Sequence, residues 1–220
     1  MNATPPLVVP ILATPFGVVP LPEAAVLNPA LTALFRAHRA ADSSPQADPL
    51  CYRSRDDLLG WPEEPVRTLS AAIFRGVYAV VENVNEFTAA QLHALRLEAR
   101  GWFTIVQPDG CVPAATYPLT AWCAIYCVAA PPPSPARVDA GALRIYETRL
   151  GTMFQDATNS LMKLPYKPSH CSWRPVPGYM AVFPASLTHE IALFRAIGEL
   201  ILVTVRIRFV GPGQQGMPRW

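Results

Sequence analysis

The sequence predicts an α+β fold in which helices come first and a sheet pair or barrel follows. Three observations predict it. Up to about residue 100 the apolar residues recur at helical spacing. After Gly101 they gather into short runs with turn signals between them. The chain also holds 25 prolines, about twice the usual share, and these favour strands and rigid loops over long helices.

Residues 1 to 22 are proline-punctuated and extended. They carry no basic leader and read as an entering strand or arm more than a signal peptide. Pro22-Glu23 opens a helix with Leu27, Leu31, Leu34 and Phe35 at helical spacing, and Asp42-Ser43-Ser44-Pro45 stops it. Residues 46 to 62 read as a loop. A second helix runs from Pro65 to about Val81 on Val66, Leu69, Ile73, Val77 and Val80. Thr88 is a plausible N-cap for a third, reaching Arg100 through Leu92 and Leu95.

The strand half follows. WFTIVQ ends at the turn Pro108-Asp109-Gly110, and AWCAIYCVAA ends at Pro131-Pro132-Pro133. ALRIYETR alternates and leads into a polar, proline-containing loop up to about His170. YMAVFP follows the turn Val176-Pro177-Gly178, and ELILVTVRIRF closes the domain as the longest strand candidate. The expectation is one domain over 1–220, helical over about 22–100 and β over about 101–210.

Composition narrows the function classes. The chain is 51% hydrophobic and 15% charged, which excludes disorder through excess charge. A net charge of +2, without a Lys/Arg cluster, offers nucleic acid no electrostatic footprint. No apolar run reaches the roughly 18 residues of a membrane span. The five cysteines are odd in number and form no CxxC, so neither a disulfide framework nor a zinc ribbon is expected. The reading is cytoplasmic with reduced thiols, a small-molecule partner, and a homodimer through the helical half as an open option.

Several motifs occur in a telling order: Ala13-Thr14-Pro15-Phe16, Leu27-Asn28, and Arg53-Ser54-Arg55-Asp56-Asp57-Leu58-Leu59-Gly60-Trp61. Then come Trp102 and Gly110, followed by Tyr126, Val128 and Pro131. Glu147-Thr148-Arg149-Leu150-Gly151 is next, and Pro177-Gly178, Phe183-Pro184 and His189 complete the series. Together these resemble the bacterial 2-oxoglutarate/Fe(II)-dependent dioxygenase family, over most of the chain. The resemblance implies a double-stranded β-helix (jelly-roll, cupin-like) core with N-terminal helices packed on it.

It also implies a chemistry that the residues contradict. Such enzymes hold Fe(II) by two histidines and a carboxylate or third imidazole, with open positions for 2-oxoglutarate and dioxygen. The first two ligands lie two residues apart, just before a proline. Here that proline is Pro118, so the ligand positions fall on Ala115 and Tyr117. Residues 107 to 130 contain no histidine, and Asp109 is their only carboxylate. The distal ligand corresponds to His189. The arginine that clamps the 2-oxoglutarate carboxylate corresponds to Leu200. Period two puts Leu202, Thr204, Arg206 and Arg208 on the same face as Leu200, with Arg206 about 20 Å further along an extended strand.

The candidates have competing readings. His189 is an iron ligand, a metal-free acid/base or a packed histidine. Tyr117 either donates a hydrogen bond to substrate or fills the former iron site. Arg206 and Arg208 bind a carboxylate or carbonyl, or reach solvent at the strand end. Trp102, Thr104, Trp122 and Tyr126 line a ligand pocket or pack in the core. Arg149 is read as structural, and His170, Cys171 and His189 are an alternative metal set. The expected function is a repurposed, cofactor-independent enzyme of isomerase, cyclase, lyase or hydrolase type acting on a small organic molecule, in biosynthesis. His189, Tyr117 and Arg206 are its catalytic set. The alternatives are a non-catalytic binding module, or an iron/2-oxoglutarate oxygenase with atypical ligands.

Overall fold

Strand period two gives the strongest sheet of this protein two apolar faces, and each face is covered by a different layer. The structure, a computed structural model, describes residues 10, 13–44, 48–132, 139–146, 162 and 170–211. The helices are α1 (Ala24–Ala41), α2 (Glu64–Val84) and α3 (Ala89–His93). The strands are β1 (Gly17–Pro20), β2 (Cys51–Arg53), β3 (Arg96–Val106), β4 (Val112–Ala115), β5 (Trp122–Ala129), β6 (Leu143–Tyr146), β7 (His170–Trp173), β8 (Tyr179–Pro184), β9 (His189–Ile191) and β10 (Leu200–Val210). No helix among the described residues is long and apolar enough to cross a membrane.

The strands form a six-stranded sheet, β1-β8-β5-β10-β3-β2, and a four-stranded sheet, β4-β9-β6-β7. All ladder pairs are antiparallel. From β3 onward the chain passes back and forth between the two sheets, with only β6 and β7 consecutive in one of them.

The outer face of the large sheet carries Phe103, Ile105, Tyr126, Met180, Val203 and Val205, which pack against Leu31 and Phe35 of α1 and Leu69, Ile73 and Val77 of α2. Phe35 stacks on Phe103 with ring centroids 4.2 Å apart. Truncating such a buried ring costs about 3–5 kcal/mol. The inner face carries Cys123, Ile125, Cys127, Phe183, Leu200 and Leu202 against Leu143, Ile145 and Ile191 of the small sheet.

Two turns hold strands in register. Gly178, at φ +88°, follows Pro177, and the Tyr179 amide donates to the Val176 carbonyl at 3.0 Å. Asp109, at φ +65°, takes the same left-handed place before Gly110, whose amide donates to Gln107.

One expected helix is shorter than its periodicity suggests. The Thr88 capping box is present, but α3 ends at His93 and residues 96 to 100 belong to β3. Leu95, Leu97 and Ala99 alternate with charged residues and pack on the helix-side core, so period two wins there. The Glu147–Gly151 motif, Arg149 included, lies outside the described residues.

Candidate functional site

The register of β4 against β9 places Ala115 directly opposite His189. The two expected iron-ligand positions therefore do meet the surviving histidine. The Tyr117 amide donates to the Ala185 carbonyl at 3.0 Å, which anchors the residue beside β8 and β9. Its ring stands edge-on to His189 at 5.2 Å and edge-on to Trp102 at 5.5 Å. Phe183 closes the other side of His189 at 5.0 Å. The position opposite His189 holds a methyl group, and the next one inward holds a phenol ring.

His189 is buried, at 5% exposure, and its Nδ1 lies 2.9 Å from the Leu187 carbonyl oxygen. A carbonyl only accepts, so Nδ1 carries the proton and Nε2 keeps its lone pair. Burial pushes the imidazole below its ordinary value of 6.5, against a smaller upward pull from the Leu187 bond, so the neutral form is favoured. Burial also pushes the Tyr117 phenol well above the usual tyrosine range, which keeps its proton in place.

Between these rings and the floor of the large sheet lies a cavity of about 20 Å³, lined by Trp102, Thr104, Tyr117, His189, Leu202 and Thr204 among others. That is room for about one water. Trp102 and Thr104 of β3 lie in register with Thr204 and Leu202 of β10. Deeper in, Leu200 is 2% exposed within the inter-sheet apolar cluster. The clamp position is thus packed in hydrocarbon.

The mouth has the opposite chemistry. Arg206 donates from Nη2 to Asp56 Oδ2 at 2.6 Å. Its guanidinium carbon lies 5.7 Å from the Trp102 ring centre and 5.8 Å from that of Tyr117. Arg53 sits over the same Trp102 ring at 4.3 Å and pairs with the other oxygen of Asp56. Both are cation–π arrangements. The segment bearing Asp56 is held to β3 because the Ser54 amide donates to the Phe103 carbonyl at 2.9 Å, and Ser54 Oγ accepts from the Phe103 amide at 3.0 Å.

The sequence-predicted residues divide cleanly. The structure brings Trp102, Thr104, Tyr117, His189 and Arg206 together. Trp122 and Tyr126 lie on the other face of the large sheet: Trp122 packs on the helix-side core, and Tyr126 belongs to it, donating its hydroxyl to Asn28 at 2.6 Å. Cys123, Ile125 and Cys127 take the inner positions of β5 instead, so neither aromatic reaches the cavity. Arg208 is in register with Glu98 beyond the cavity and does not line it. His170 and Cys171 do not join His189. Cys171 and His189 both face Ile145 from opposite sides of β6, about two strand spacings apart. Among the described residues no three His, Cys, Asp or Glu side chains converge to hold a metal. Cys123 is fully buried, and that burial pushes its thiol far up, which disfavours the thiolate.

Asp56 and Arg53 are the site residues that sequence reasoning missed. They stood in the Arg53–Trp61 motif, an unusually charge-dense stretch, but nothing in their spacing tied them to the last strand.

No family model and no curated protein matches the sequence. Solved structures do match. A prolyl-4-hydroxylase from Pseudomonas putida is 16% identical, with 90% of this chain and 94% of that one covered and a TM-score of 0.57. The non-heme α-ketoglutarate-dependent epimerase SnoN of nogalamycin biosynthesis is 13% identical, covering 94% of this chain and 87% of that one, at 0.60. HygX from Streptomyces hygroscopicus, with nickel and 2-oxoglutarate bound, is 14% identical over 89% and 83%, at 0.56. At such identities the likeness is one of fold: helices and paired antiparallel sheets of the 2-oxoglutarate/Fe(II) oxygenase kind.

Proposed function

We propose that this chain is a double-stranded β-helix of the oxygenase kind that works on a small organic molecule without iron or 2-oxoglutarate. The single observation that carries the reading is the pairing of Ala115 with His189, with the Tyr117 ring beside it. Fe(II) would find one imidazole there, faced by a methyl and a protonated phenol. The 2-oxoglutarate carboxylate would find Leu200 in hydrocarbon. The residues do not fit that pair of cofactors. The alternation of strands between two sheets supports the β-helix. That SnoN is an epimerase supports a range of outcomes for this fold beyond hydroxylation.

The groups present suit proton chemistry. His189 offers an unprotonated Nε2 as base, and Tyr117 offers a phenol proton as donor. Arg206 supplies positive charge near both aromatic rings, where an enolate-like oxygen would be stabilised. A proton moved from one substrate carbon to Nε2 and returned to another would complete an isomerisation with nothing consumed.

A second reading is a non-catalytic module that engages a partner, which a cavity with room for about one water suits better than turnover of an organic substrate inside it. Variants with Ala115→His and Tyr117→Asp test the site assignment. They are expected to gain one equivalent of Fe(II) beside His189; failure to gain any metal would remove the register argument. Turnover separates the two readings: the enzyme requires His189→Ala to lose about a hundredfold or more, the module requires no turnover at all.

A further inference from the structure

We infer that the mouth of the inter-sheet cavity is a carboxylate-binding site, in which Arg206 receives a small unsaturated or aromatic acid and the chain's own Asp56 holds the place until it arrives. The inference deepens the function proposed above and rests on that reading of the site.

Arg206 is only half used. Its Nη2 donates to Asp56, while its Nε is buried without a hydrogen-bond partner. A buried donor left unpaired costs free energy that a bound acceptor would recover. The guanidinium is a planar fork whose Nε and Nη edge matches both oxygens of one carboxylate. Asp56 does not make that match, because its second oxygen is turned to Arg53.

The two partners are also unequally placed. The Arg206 side chain is 16% exposed and projects from the middle of a long strand, whereas Asp56 is 27% exposed and comes from the connection after β2. The arginine is the fixed member and the aspartate the displaceable one. An incoming carboxylate would take Arg206 as a fork and leave Asp56 with Arg53. Trp102 and Tyr117 flank the guanidinium, and the body of the acid would lie against these rings in the space that Asp56 vacates. Asp56 itself sets the charge and shape of the ligand group: one carboxylate, not a phosphate.

The test is calorimetric titration of the chelator-treated full chain with benzoate, with its neutral isostere benzamide, and with inorganic phosphate. The natural chain is expected to bind benzoate and neither of the others. Asp56→Asn removes the charged competitor and is expected to tighten benzoate by about tenfold or more. Arg206→Lys keeps the charge without the fork and is expected to weaken it by about tenfold. Benzamide or phosphate binding as tightly as benzoate, or an Asp56→Asn variant no tighter than the natural chain, would overturn the inference. Should Arg206→Lys fail to fold, the Asp56→Asn and benzamide arms still decide. Absence of benzoate binding in a chain that takes up no iron sinks this inference alone. Stoichiometric iron sinks the proposed function and leaves the titration readable, since it is run with metal removed.

Discussion

The two ends of the inter-sheet space are built from opposite chemistry, although they share strands β3 and β10. At the deep end β10 contributes Leu200 and Leu202, β3 contributes Val106 and β5 contributes Cys127, all within one apolar cluster. At the mouth the same faces of β10 and β3 carry Thr204, Arg206 and Trp102, with Asp56 laid across them. The difference shows where a cation can be kept. A guanidinium at the mouth finds Asp56, two aromatic faces and some solvent, whereas one at Leu200 would be desolvated without a partner. On the inner face of β10 the cation stands at Arg206, and the position that the oxygenase resemblance assigns to the clamp holds Leu200.

The most severe way to break that comparison is Leu200→Arg, which restores the resemblance's clamp residue. It is expected to destabilise by about 3 kcal/mol or more and to confer no 2-oxoglutarate affinity, checked by urea denaturation and calorimetry. A folded variant that binds 2-oxoglutarate would show that the deep end is still a cosubstrate pocket. Arg206→Ala comes next. Leaving Asp56 without its deeper partner is expected to cost about 1–3 kcal/mol in the same assay, and a neutral result would make the mouth pair ornamental.

The histidine gives a pH test. Its folded imidazole is held below 6.5 by burial, so the unfolded chain binds more protons as pH falls towards that folded value. That contribution to stability is fully present above about 6.5 and is lost on acidification below it. The melting temperature is expected to fall more steeply there for the natural chain than for His189→Gln; parallel curves would mean that His189 is not the buried, neutral group described.

Much of this was legible in the sequence, for reasons that particular elements make plain. The pattern gave α1, α2 and β10 away because each repeats its period over several turns or pleats. It missed β4, β7, β9 and also β2, inside the stretch 46 to 62 read as a loop; all four are three or four residues long and cannot display a period. The resemblance and strand parity point to Tyr117, His189 and Arg206, and the fold brings these three side chains near one another. Trp122 and Tyr126 were misplaced because β5 is buried on both faces, so alternation carries no sign of which face is which. Asp56 was invisible because its partner lies 150 residues away, a distance only the fold closes.

The smaller effects sharpen the same boundary. Tyr126→Phe loses the hydroxyl bond to Asn28 and is expected to cost about 1 kcal/mol while leaving benzoate binding unchanged. Arg208→Gln, beyond the cavity, is expected to stay within about 0.5 kcal/mol of the natural chain.

The central claim is that the site facing His189 no longer serves iron. Anaerobic titration of the natural chain with Fe(II) and then 2-oxoglutarate, followed by visible absorption and by metal analysis after desalting, addresses it directly. The account expects no retained equivalent of iron and no metal-to-ligand charge-transfer band. One equivalent of retained iron, with a band that grows on adding 2-oxoglutarate, would contradict it.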